Sequence, residues 1–168
     1  RGTVTFPGGQ PAPGILVVAE GRGESVHSGR GMARTAVDGS YSLRLYPAQS
    51  YVLSISDEDW AAPSRSGIEL EEDKPLSGID LRLEEGTLVS GRVVVGPEEA
   101  PIAGQSVALY ELEEGVPIGP GEVFRRTILR RSVVSDADGR YAFRVVSGRY
   151  EIQGPQNERE PLIVEGEE

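Results

Sequence analysis

The stretch SDADGRYAF, at residues 135–143, places two acidic residues just before a glycine and is the first candidate for chemistry in this chain. Asp136 and Asp138 stand where a calcium loop has its first and third ligands, since such loops use carboxylates at alternate positions. An EF-hand loop also needs a ligand at its fifth position, a glycine at its sixth and a glutamate at its twelfth. Here Gly139 falls at the fourth position, and neither the fifth nor the twelfth residue is acidic.

The same stretch is also typical of a tight turn between two strands. Aspartate bonds to nearby backbone N–H groups and glycine adopts positive φ values, so Asp-Gly is a strong hairpin signal. The earlier stretch AVDGSYSL, at residues 36–43, repeats Asp-Gly-x-Tyr but offers only Asp38, with Val37 before it. The pattern therefore favours a turn at both places. A two-carboxylate calcium site at Asp136 and Asp138 is the weaker alternative, and we expect no other metal and no cofactor.

An arginine-rich stretch, FRRTILRRS, is the one basic island in the chain; its arginines are Arg125, Arg126, Arg130 and Arg131. On a regular strand, alternation would put Arg126 and Arg130 on one face and Arg125, Leu129 and Arg131 on the other. The favoured interpretation is an exposed strand whose arginines pair with glutamates and discourage edge-to-edge aggregation. The alternative is a docking patch for an acidic protein or an anionic glycan.

The single tryptophan, Trp60, lies in the polar stretch DEDWAAP. A loop tryptophan commonly folds over the end of a hydrophobic core, and we favour that arrangement here. An exposed ring that stacks on a sugar is the alternative. Residues 57–63 are also the one place where a short helical turn is expected, with Pro63 limiting its length.

Residues that would support catalysis are scarce. The chain has one histidine, His27, and no cysteine, so it has neither a histidine pair for a metal nor a thiol nucleophile. Neighbouring carboxylates such as Glu71 and Glu72 would point to opposite faces of a strand, which is poor geometry for an acid–base pair. We therefore predict that the chain is not an enzyme.

The net negative charge disfavours two classes of partner, nucleic acids and anionic membranes. A net charge of −10 over 168 residues disfavours binding to nucleic acid, because phosphate contacts need a basic surface. It also disfavours an anionic membrane surface. No stretch approaches 18 consecutive apolar residues, so we expect no membrane insertion by this segment.

The chain contains an internal repeat. Pro11 and Gly14 correspond to Pro101 and Gly104 at an offset of 90 residues, while Asp38-Gly39 corresponds to Asp138-Gly139 at an offset of 100. A drifting offset is expected where loops differ in length. We predict two copies of one domain, at residues 1–86 and 87–168. The junction around residues 84–86 is too short for a free linker, so we expect the copies end to end with little swivel.

Alternating apolar and polar residues predict strands throughout both copies. The alternating sets are Tyr41, Leu43 and Leu45; Tyr51, Leu53 and Ile55; Ile79, Leu81 and Leu83; and Tyr141, Phe143 and Val145. Each set is expected to bury one face and leave the other in water. Short strands with frequent turn signals are typical of an all-β sandwich.

The order of these motifs resembles the carboxypeptidase regulatory-like repeat. The second copy carries the pattern at Gly91, Val93, Pro101, Gly104, Val107, Asp136, Asp138, Gly139, Tyr141, Gly148, Tyr150 and Ile152. The first copy carries it at Gly2, Val4, Pro11, Gly14, Val17, Asp38, Gly39, Tyr41 and Tyr51, and departs at Val37 and at Gln49-Ser50. The resemblance implies two tandem transthyretin-like or Ig-like antiparallel sandwiches of about seven strands each.

The resemblance also implies a role. Such modules are similar to B-type domains of adhesins and are non-catalytic parts of bacterial cell-envelope, periplasmic or extracellular proteins. We expect a structural spacer or protein-interaction module of a longer protein, whose partners are its adjoining domains and a further protein or glycan. The alternative is a carbohydrate- or ligand-binding module that uses Trp60 or the arginines between Arg125 and Arg131.

Overall fold

The computed structural model describes residues 1–22, 29–47, 50–119 and 122–165, with backbone alone at residues 22, 113–119 and 122–128. The chain divides into two compact units, Arg1–Gly86 (unit 1) and Thr87–Glu168 (unit 2). The described part of the chain contains strands and turns and no helix, and the fold is all-β.

Unit 1 contains seven strands within its described residues: β1 Gly2–Thr5, β2 Leu16–Arg22, β3 Arg30–Arg34, β4 Ser40–Tyr41, β5 Ser50–Ser56, β6 Arg65–Glu69 and β7 Leu81–Arg82. Four of them form an antiparallel sheet in the order β3-β2-β5-β6, and the other three form a smaller sheet in the order β4-β1-β7. In the smaller sheet β4 is antiparallel to β1, whereas β7 is parallel to it.

The core of unit 1 lies between these two sheets. The smaller sheet contributes the buried side chains of Val4, Tyr41 and Leu81, and the larger sheet contributes Val17 and Leu53 among others. Leu83, just after β7, is also completely buried. Unit 1 is therefore a two-layer sandwich, as the alternation of apolar residues predicts.

Unit 2 contains eight strands within its described residues: β8 Thr87–Arg92, β9 Val94–Val95, β10 Ala100–Pro101, β11 Ser106–Gly119, β12 Glu122–Val134, β13 Arg140–Val145, β14 Gly148–Gln153 and β15 Arg159–Val164. The larger sheet has the order β12-β11-β14-β15, β13 pairs with β8, and β9 pairs with β10. Phe143 and Val145 from β13 pack with Val107, Leu109 and Tyr150 from the larger sheet. Unit 2 is a second antiparallel sandwich.

A tyrosine occupies the same place in each core. Tyr51 and Tyr150 are buried almost completely, yet each hydroxyl reaches a backbone oxygen a few residues earlier. The Tyr51 hydroxyl donates to the carbonyl of Tyr46 at 3.0 Å, and the Tyr150 hydroxyl donates to the carbonyl of Val146 at 3.0 Å. These bonds satisfy a polar group that would be costly to bury without a partner.

Each Gly-x-Val motif is explained by the tyrosine opposite its glycine. Gly2 pairs with Tyr41 across β1 and β4, and Gly91 pairs with Tyr141 across β8 and β13. A Cβ atom on Gly91 would meet the Tyr141 ring, whereas one on Gly2 would meet first the Ile79 carbonyl and then, at 3.1 Å, the Tyr41 ring. An aromatic side chain that covers a cross-strand glycine in this way restores the packing the glycine lacks.

Two strand predictions and one helix prediction are wrong. The strand after Asp38-Gly39 ends at Tyr41, since its ladder with β1 ends at the Gly2–Tyr41 pair, although Leu43 and Leu45 remain partly buried. β5 has no wet face: Val52 and Ser54 are buried as well, on a strand that lies between β2 and β6.

The expected helical turn at residues 57–63 is absent. The Asp57 carboxylate accepts hydrogen bonds from the backbone N–H groups of Asp59 and Trp60, at 3.0 and 3.2 Å. Ala61 then forms a β-bridge with Glu84. The Asp57 carboxylate and the Glu84 carbonyl thus accept hydrogen bonds from backbone N–H groups that a helix would direct to its own carbonyls.

The buried tyrosines predict a loss of stability in alkali. Burial, with a contribution from the Asp80 carboxylate, raises the pKa of Tyr41 to about 12. Burial and Glu111 raise the pKa of Tyr150 to about 12, against an opposing effect of Arg130. Because the unfolded chain ionises first, near pH 10, stability is complete below that pH and falls as the pH rises towards 12.

Thermal melts across this pH range test the prediction. Tyr150→Phe should show a weaker decrease in melting temperature than the wild type, whereas Tyr46→Phe, at an exposed position, should follow the wild type. Equal slopes for Tyr150→Phe and Tyr46→Phe would contradict the assignment.

Candidate functional site

The candidate calcium residues form a turn. The Asp136 carboxylate accepts hydrogen bonds from the backbone N–H groups of Asp138 and Arg140, at 2.9 and 2.8 Å, and Gly139 N–H donates to the Asp136 carbonyl at 3.0 Å. One carboxylate oxygen of Asp136 is thus used to hold the turn itself. Among the residues that the structure describes, no group of three or more histidines, cysteines or carboxylates is placed to hold a metal ion.

The turn in unit 1 has the same backbone hydrogen bond, but Ala36 replaces Asp136 and the carboxylate comes from Asp38. Gly39 N–H donates to the Ala36 carbonyl at 2.9 Å, and the Asp38 carboxylate accepts from Ser40 N–H at 3.0 Å. Hydrogen bonds from the Ser40 side chain and backbone hold the pKa of the Asp38 carboxyl below its ordinary value. Asp38 therefore acts as a turn residue, with its hydrogen bonds directed to its own loop.

Both turns require glycine for two reasons. Gly39 and Gly139 have φ values of 75° and 74°, in the left-handed region that other residues seldom adopt. A Cβ atom on Gly39 would also lie 2.5 Å from the Val4 carbonyl oxygen, and one on Gly139 would lie 2.6 Å from that of Val93. The first strand of each unit passes directly against its Asp-Gly turn.

A buried hydroxyl just before each turn was not predicted. Thr35 Oγ1 donates to the Ala12 carbonyl at 2.6 Å and accepts from Ile15 N–H at 2.9 Å. Thr35 is buried, with 6% of its surface exposed, so these two bonds replace its contacts with water. The hydroxyl thereby joins the Pro-x-x-Gly loop to the Asp-Gly turn.

Ser135 makes the same two bonds in unit 2. Its hydroxyl donates to the Ile102 carbonyl at 2.8 Å and accepts from Gln105 N–H at 3.0 Å. In the backbone, Gly104 N–H donates to the Ser135 carbonyl at 2.9 Å, matching the 3.0 Å bond from Gly14 to Thr35. Thr35 and Ser135 each stand four residues before the turn glycine. That shared spacing was the sequence signal that could have identified them.

The arginine run lies on β12, an edge strand of the larger sheet in unit 2. Leu109 is opposite Arg131 and Tyr110 is opposite Leu129, so Arg130 is an extra residue at a β-bulge. The bulge places Leu129 and Arg131 on opposite faces, and the prediction that they share a face is wrong. The side chains of Arg125 and Arg126 lie outside the described residues.

Arg130 forms an ion pair within its own sheet. Its Nη1 atom lies 3.5 Å from Glu111 Oε2 on β11, and both side chains are largely buried, with 10% and 19% of their surface exposed. Both groups are close enough to Tyr150 to influence its pKa. The ion pair between Arg130 and Glu111 therefore lies beside the buried Tyr150, at the edge of the hydrophobic core of unit 2.

Trp60 packs against unit 1. Its ring centroid is 5.1 Å from that of Phe6, with the planes tilted by 59°, and the side chain lies partly buried on the core cluster. Tilted aromatic pairs at this separation are favourable. Ala61, the next residue, exchanges two backbone hydrogen bonds with Glu84, of 2.8 and 3.0 Å. The tryptophan covers the end of the core beside the exit of the chain from unit 1.

A groove of about 630 Å³ opens along one edge of unit 1 and was not predicted. Leu43, Leu45 and Leu70 line its wall, and the charged residues Arg44 and Glu71 are among those at its rim. Its lining contains no histidine or cysteine, and Lys74 in the lining forms an exposed ion pair with Glu71.

The two hydroxyl-centred networks predict a specific stability effect. Thr35→Val preserves the shape of the side chain but leaves Ile15 N–H and the Ala12 carbonyl without their partner, which should cost about 1–3 kcal/mol. Thr35→Ser retains the hydroxyl and should cost less, because Ser135 fills this role in unit 2. Denaturant unfolding of both variants measures the difference. The proposed role fails if Thr35→Val is as stable as Thr35→Ser.

The solved structures to which this chain is similar include two pilins. The chain is similar to a streptococcal ancillary pilin, with 12% identity and a TM-score of 0.39, over 99% of this chain and 58% of the pilin. It thus spans less than two thirds of that pilin. It is also similar to the shaft pilin SpaA from Lactobacillus rhamnosus GG, with 10% identity and a TM-score of 0.37, over 99% of this chain and 93% of SpaA.

Comparison at the level of sequence assigns the family. No curated protein matches the chain. In the described part of the chain, no helix is long and apolar enough to cross a membrane. The profile of the carboxypeptidase regulatory-like domain matches residues 1–84, which is half of the 168 residues and nearly all of unit 1. The chain belongs to the carboxypeptidase regulatory-like domain family.

Proposed function

We infer that the chain is a non-catalytic structural spacer and protein-interaction module of a larger bacterial cell-envelope or secreted protein. The observation that carries this proposal is the parallel pairing of β1 with β7, the first and last strands of unit 1. Membership of a regulatory-like domain family supports a role without catalysis. The periplasm or the cell exterior is the proposed location, and the adjoining domains are the proposed partners.

The pairing of β1 with β7 joins the two ends of unit 1. Ile79 N–H donates to the Arg1 carbonyl at 3.2 Å, and Leu83 N–H donates to the Thr5 carbonyl at 2.8 Å. Between them, the Asp80 carboxylate accepts hydrogen bonds from both the backbone N–H and the hydroxyl of Thr3, each at 2.8 Å. Backbone and side-chain bonds thus connect the strands along their whole overlap.

This geometry suits a module that carries tension. A force that separates the two ends of unit 1 pulls parallel neighbours past each other along their length. Their hydrogen bonds are then loaded together, whereas the bonds of an antiparallel hairpin pulled open at its ends break one after another. Resistance to forced unfolding is set by the unfolding rate, which such a shear contact lowers.

The contacts of the polar side chains support the same proposal. Asp136 and Asp38 hold turns, Thr35 holds a loop to its turn, and Arg130 pairs with Glu111. These contacts are structural, and none places a nucleophile beside a base. Trp60 packs on Phe6, so no particular observation favours the carbohydrate-binding alternative.

We propose further that residues 87–168 are a second copy of the domain formed by residues 1–86. The support is the shared arrangement of the Asp-Gly turn, the Pro-x-x-Gly loop and the buried hydroxyl, bond for bond. At the junction, the bonds between Ala61 and Glu84 hold the chain to unit 1 as far as Glu84, so only Glu85 and Gly86 lie between the last of these bonds and Thr87.

Single-molecule force spectroscopy on the full chain tests the mechanical role. Asp80→Ala removes both bonds to Thr3, which should lower the stability of unit 1 by about 1 kcal/mol and lower its unfolding force. The higher of the two unfolding forces should belong to unit 1 and should decrease in this variant.

Glu72→Ala is the matched control. Glu72 is exposed in the same connecting segment and its replacement removes one carboxylate as Asp80→Ala does, but it makes no hydrogen bond to β1, so replacing it should leave the force unchanged. An unfolding force that is the same in the wild type and in Asp80→Ala would exclude the proposed shear contact.

A further inference from the structure

The sheet that β8 and β13 form in unit 2 carries two arginines side by side on its outer face. Arg92 on β8 is directly opposite Arg140 on β13. Val93 N–H donates to the Gly139 carbonyl at 2.8 Å, and hydrogen-bonded pairs alternate with non-hydrogen-bonded pairs along an antiparallel ladder. The next pair, Arg92 with Arg140, is therefore non-hydrogen-bonded, which is the kind in which side chains leave the sheet closest together.

Small and apolar residues continue this face along the two strands. The next pair on the same side of the sheet is Ser90 with Ala142, followed by Leu88 with Arg144. The residues between these pairs point the other way, into the core of unit 2. Ser90 and Ala142 are exposed, and Leu88 keeps 56% of its surface in solvent. These residues form the arginine face: Leu88, Ser90, Arg92, Arg140, Ala142 and Arg144.

No carboxylate among the residues that the structure describes neutralises the two opposed arginines. Arg92 Nε donates to the backbone carbonyl of Asp138 at 3.0 Å, and the guanidinium of Arg140 makes no hydrogen bond or ion pair with the described part of the chain. By contrast, Arg159 of the same unit pairs with Glu151 at 3.3 Å. Like charges directly opposite each other destabilise a sheet, so folding alone does not favour this arrangement.

Unit 1 has a neutral pair at the corresponding place. Thr3 of β1 is opposite Ser40 of β4, and both stand next to the backbone bond between the first strand and its Asp-Gly turn, as Arg92 and Arg140 do in unit 2. The same local structure therefore forms with two hydroxyl side chains. The arginines of unit 2 add positive charge that the fold does not require, in a chain whose net charge is −10.

The exposure of this face does not depend on what lies beside the other edge of β8. In unit 1 a third strand, β7, pairs with β1, and Thr3 is nevertheless exposed. A further strand in the same sheet leaves the outer face open, because side chains stand roughly perpendicular to a sheet. In addition, Arg140 lies on β13, and β8 separates β13 from the place that corresponds to β7.

We propose that the arginine face is a docking surface for an acidic segment of a partner protein, which lies extended along β8 and β13. This inference rests on the proposed interaction role and names the chemistry of the partner. One carboxylate of the segment binds at Arg92 and Arg140, since guanidinium groups hold carboxylates with paired, charge-assisted hydrogen bonds. Arginine keeps its charge at all physiological pH values, so the attraction is permanent.

The spacing of the face gives the pattern of the segment. Alternate residues of an extended chain point the same way and lie about 6.6 Å apart, which equals the step from Arg92 to Ser90 and from Ser90 to Leu88. The segment therefore has an acidic residue, a small residue two positions away and an apolar residue two positions beyond that. The exposed Leu88 favours a protein partner over an anionic glycan, because a glycan has no apolar side chain to place there.

A synthetic peptide with the sequence SESASLS is the probe, added to the full chain and followed by NMR. It should shift the signals of Arg92, Arg140 and Leu88, and added salt should weaken its binding, because salt screens exposed charges. The peptide SKSASLS, with lysine in place of glutamate, should bind at least roughly fivefold more weakly, because it replaces an attraction by a repulsion.

Arg140→Ser introduces the residue that unit 1 has at this place, and it should weaken the binding of SESASLS roughly fivefold. Its melting temperature should equal or exceed that of the wild type, because the variant removes a like-charge pair, so poor folding would not explain the weaker binding. Arg149→Ser is the matched control. Arg149 is exposed on β14 in the other sheet, and its replacement changes the net charge equally but should leave binding unchanged.

Three results would overturn the proposal. The first is the absence of any shift at Arg92 and Arg140 when the peptide is added, and the second is equal binding of the peptide to the wild type and to Arg140→Ser. The third is a sulfated disaccharide or sodium sulfate that shifts the same signals at a lower concentration than the peptide does, since the face would then be a site for a glycan or for any anion. None of these results bears on the shear contact in unit 1, which the force measurement on Asp80→Ala tests separately.

Discussion

The parallel pairing of β1 with β7 is the contact on which unit 1 depends. It brings the last strand of the unit beside the first, buries Leu81 and Leu83 over the core, and supplies the carbonyl that satisfies the Tyr41 hydroxyl. Because the two strands lie at the two ends of the same unit, the contact that completes the core is also the contact that a pull on those ends would load in shear. In the proposed spacer role, the stability of unit 1 and its resistance to force would therefore depend on the same bonds.

A second constraint is common to both units and explains their repeated motifs. The hydroxyls of Thr35 and Ser135 join the Pro-x-x-Gly loop to the Asp-Gly turn, and Gly39 and Gly139 let the first strand pass against that turn. These bonds fix three separate segments at one point, so the residues involved can vary little in size or polarity. The Asp136 carboxylate of SDADGRYAF therefore belongs to a structural network, in which it satisfies backbone N–H groups of its own turn.

The sequence predicts the parts of this structure that depend on local patterns. Alternation predicted the buried side chains of Leu81 and Leu83, although the strand itself covers only Leu81–Arg82. It also predicted Tyr41 and Tyr141 as inward residues after a turn. It could not show that β5 is covered on both faces, because Val52 and Ser54 look no different from residues on a wet face. It also missed the bulge at Arg130, which arises from the pairing with β11, and the hydroxyls of Thr35 and Ser135, whose partners are distant in sequence.

Amide hydrogen exchange, resolved by NMR, tests most directly the claim that the pairing of β1 with β7 closes unit 1. The amides of Thr3 and Leu83 donate to Asp80 and to the Thr5 carbonyl, so the account predicts that they are protected. In Asp80→Ala the Thr3 amide loses its acceptor and should exchange faster, while the Leu83 amide keeps its bond to the Thr5 carbonyl. Thr3 and Leu83 amides that exchange in the wild type as quickly as those of an exposed loop would contradict the account.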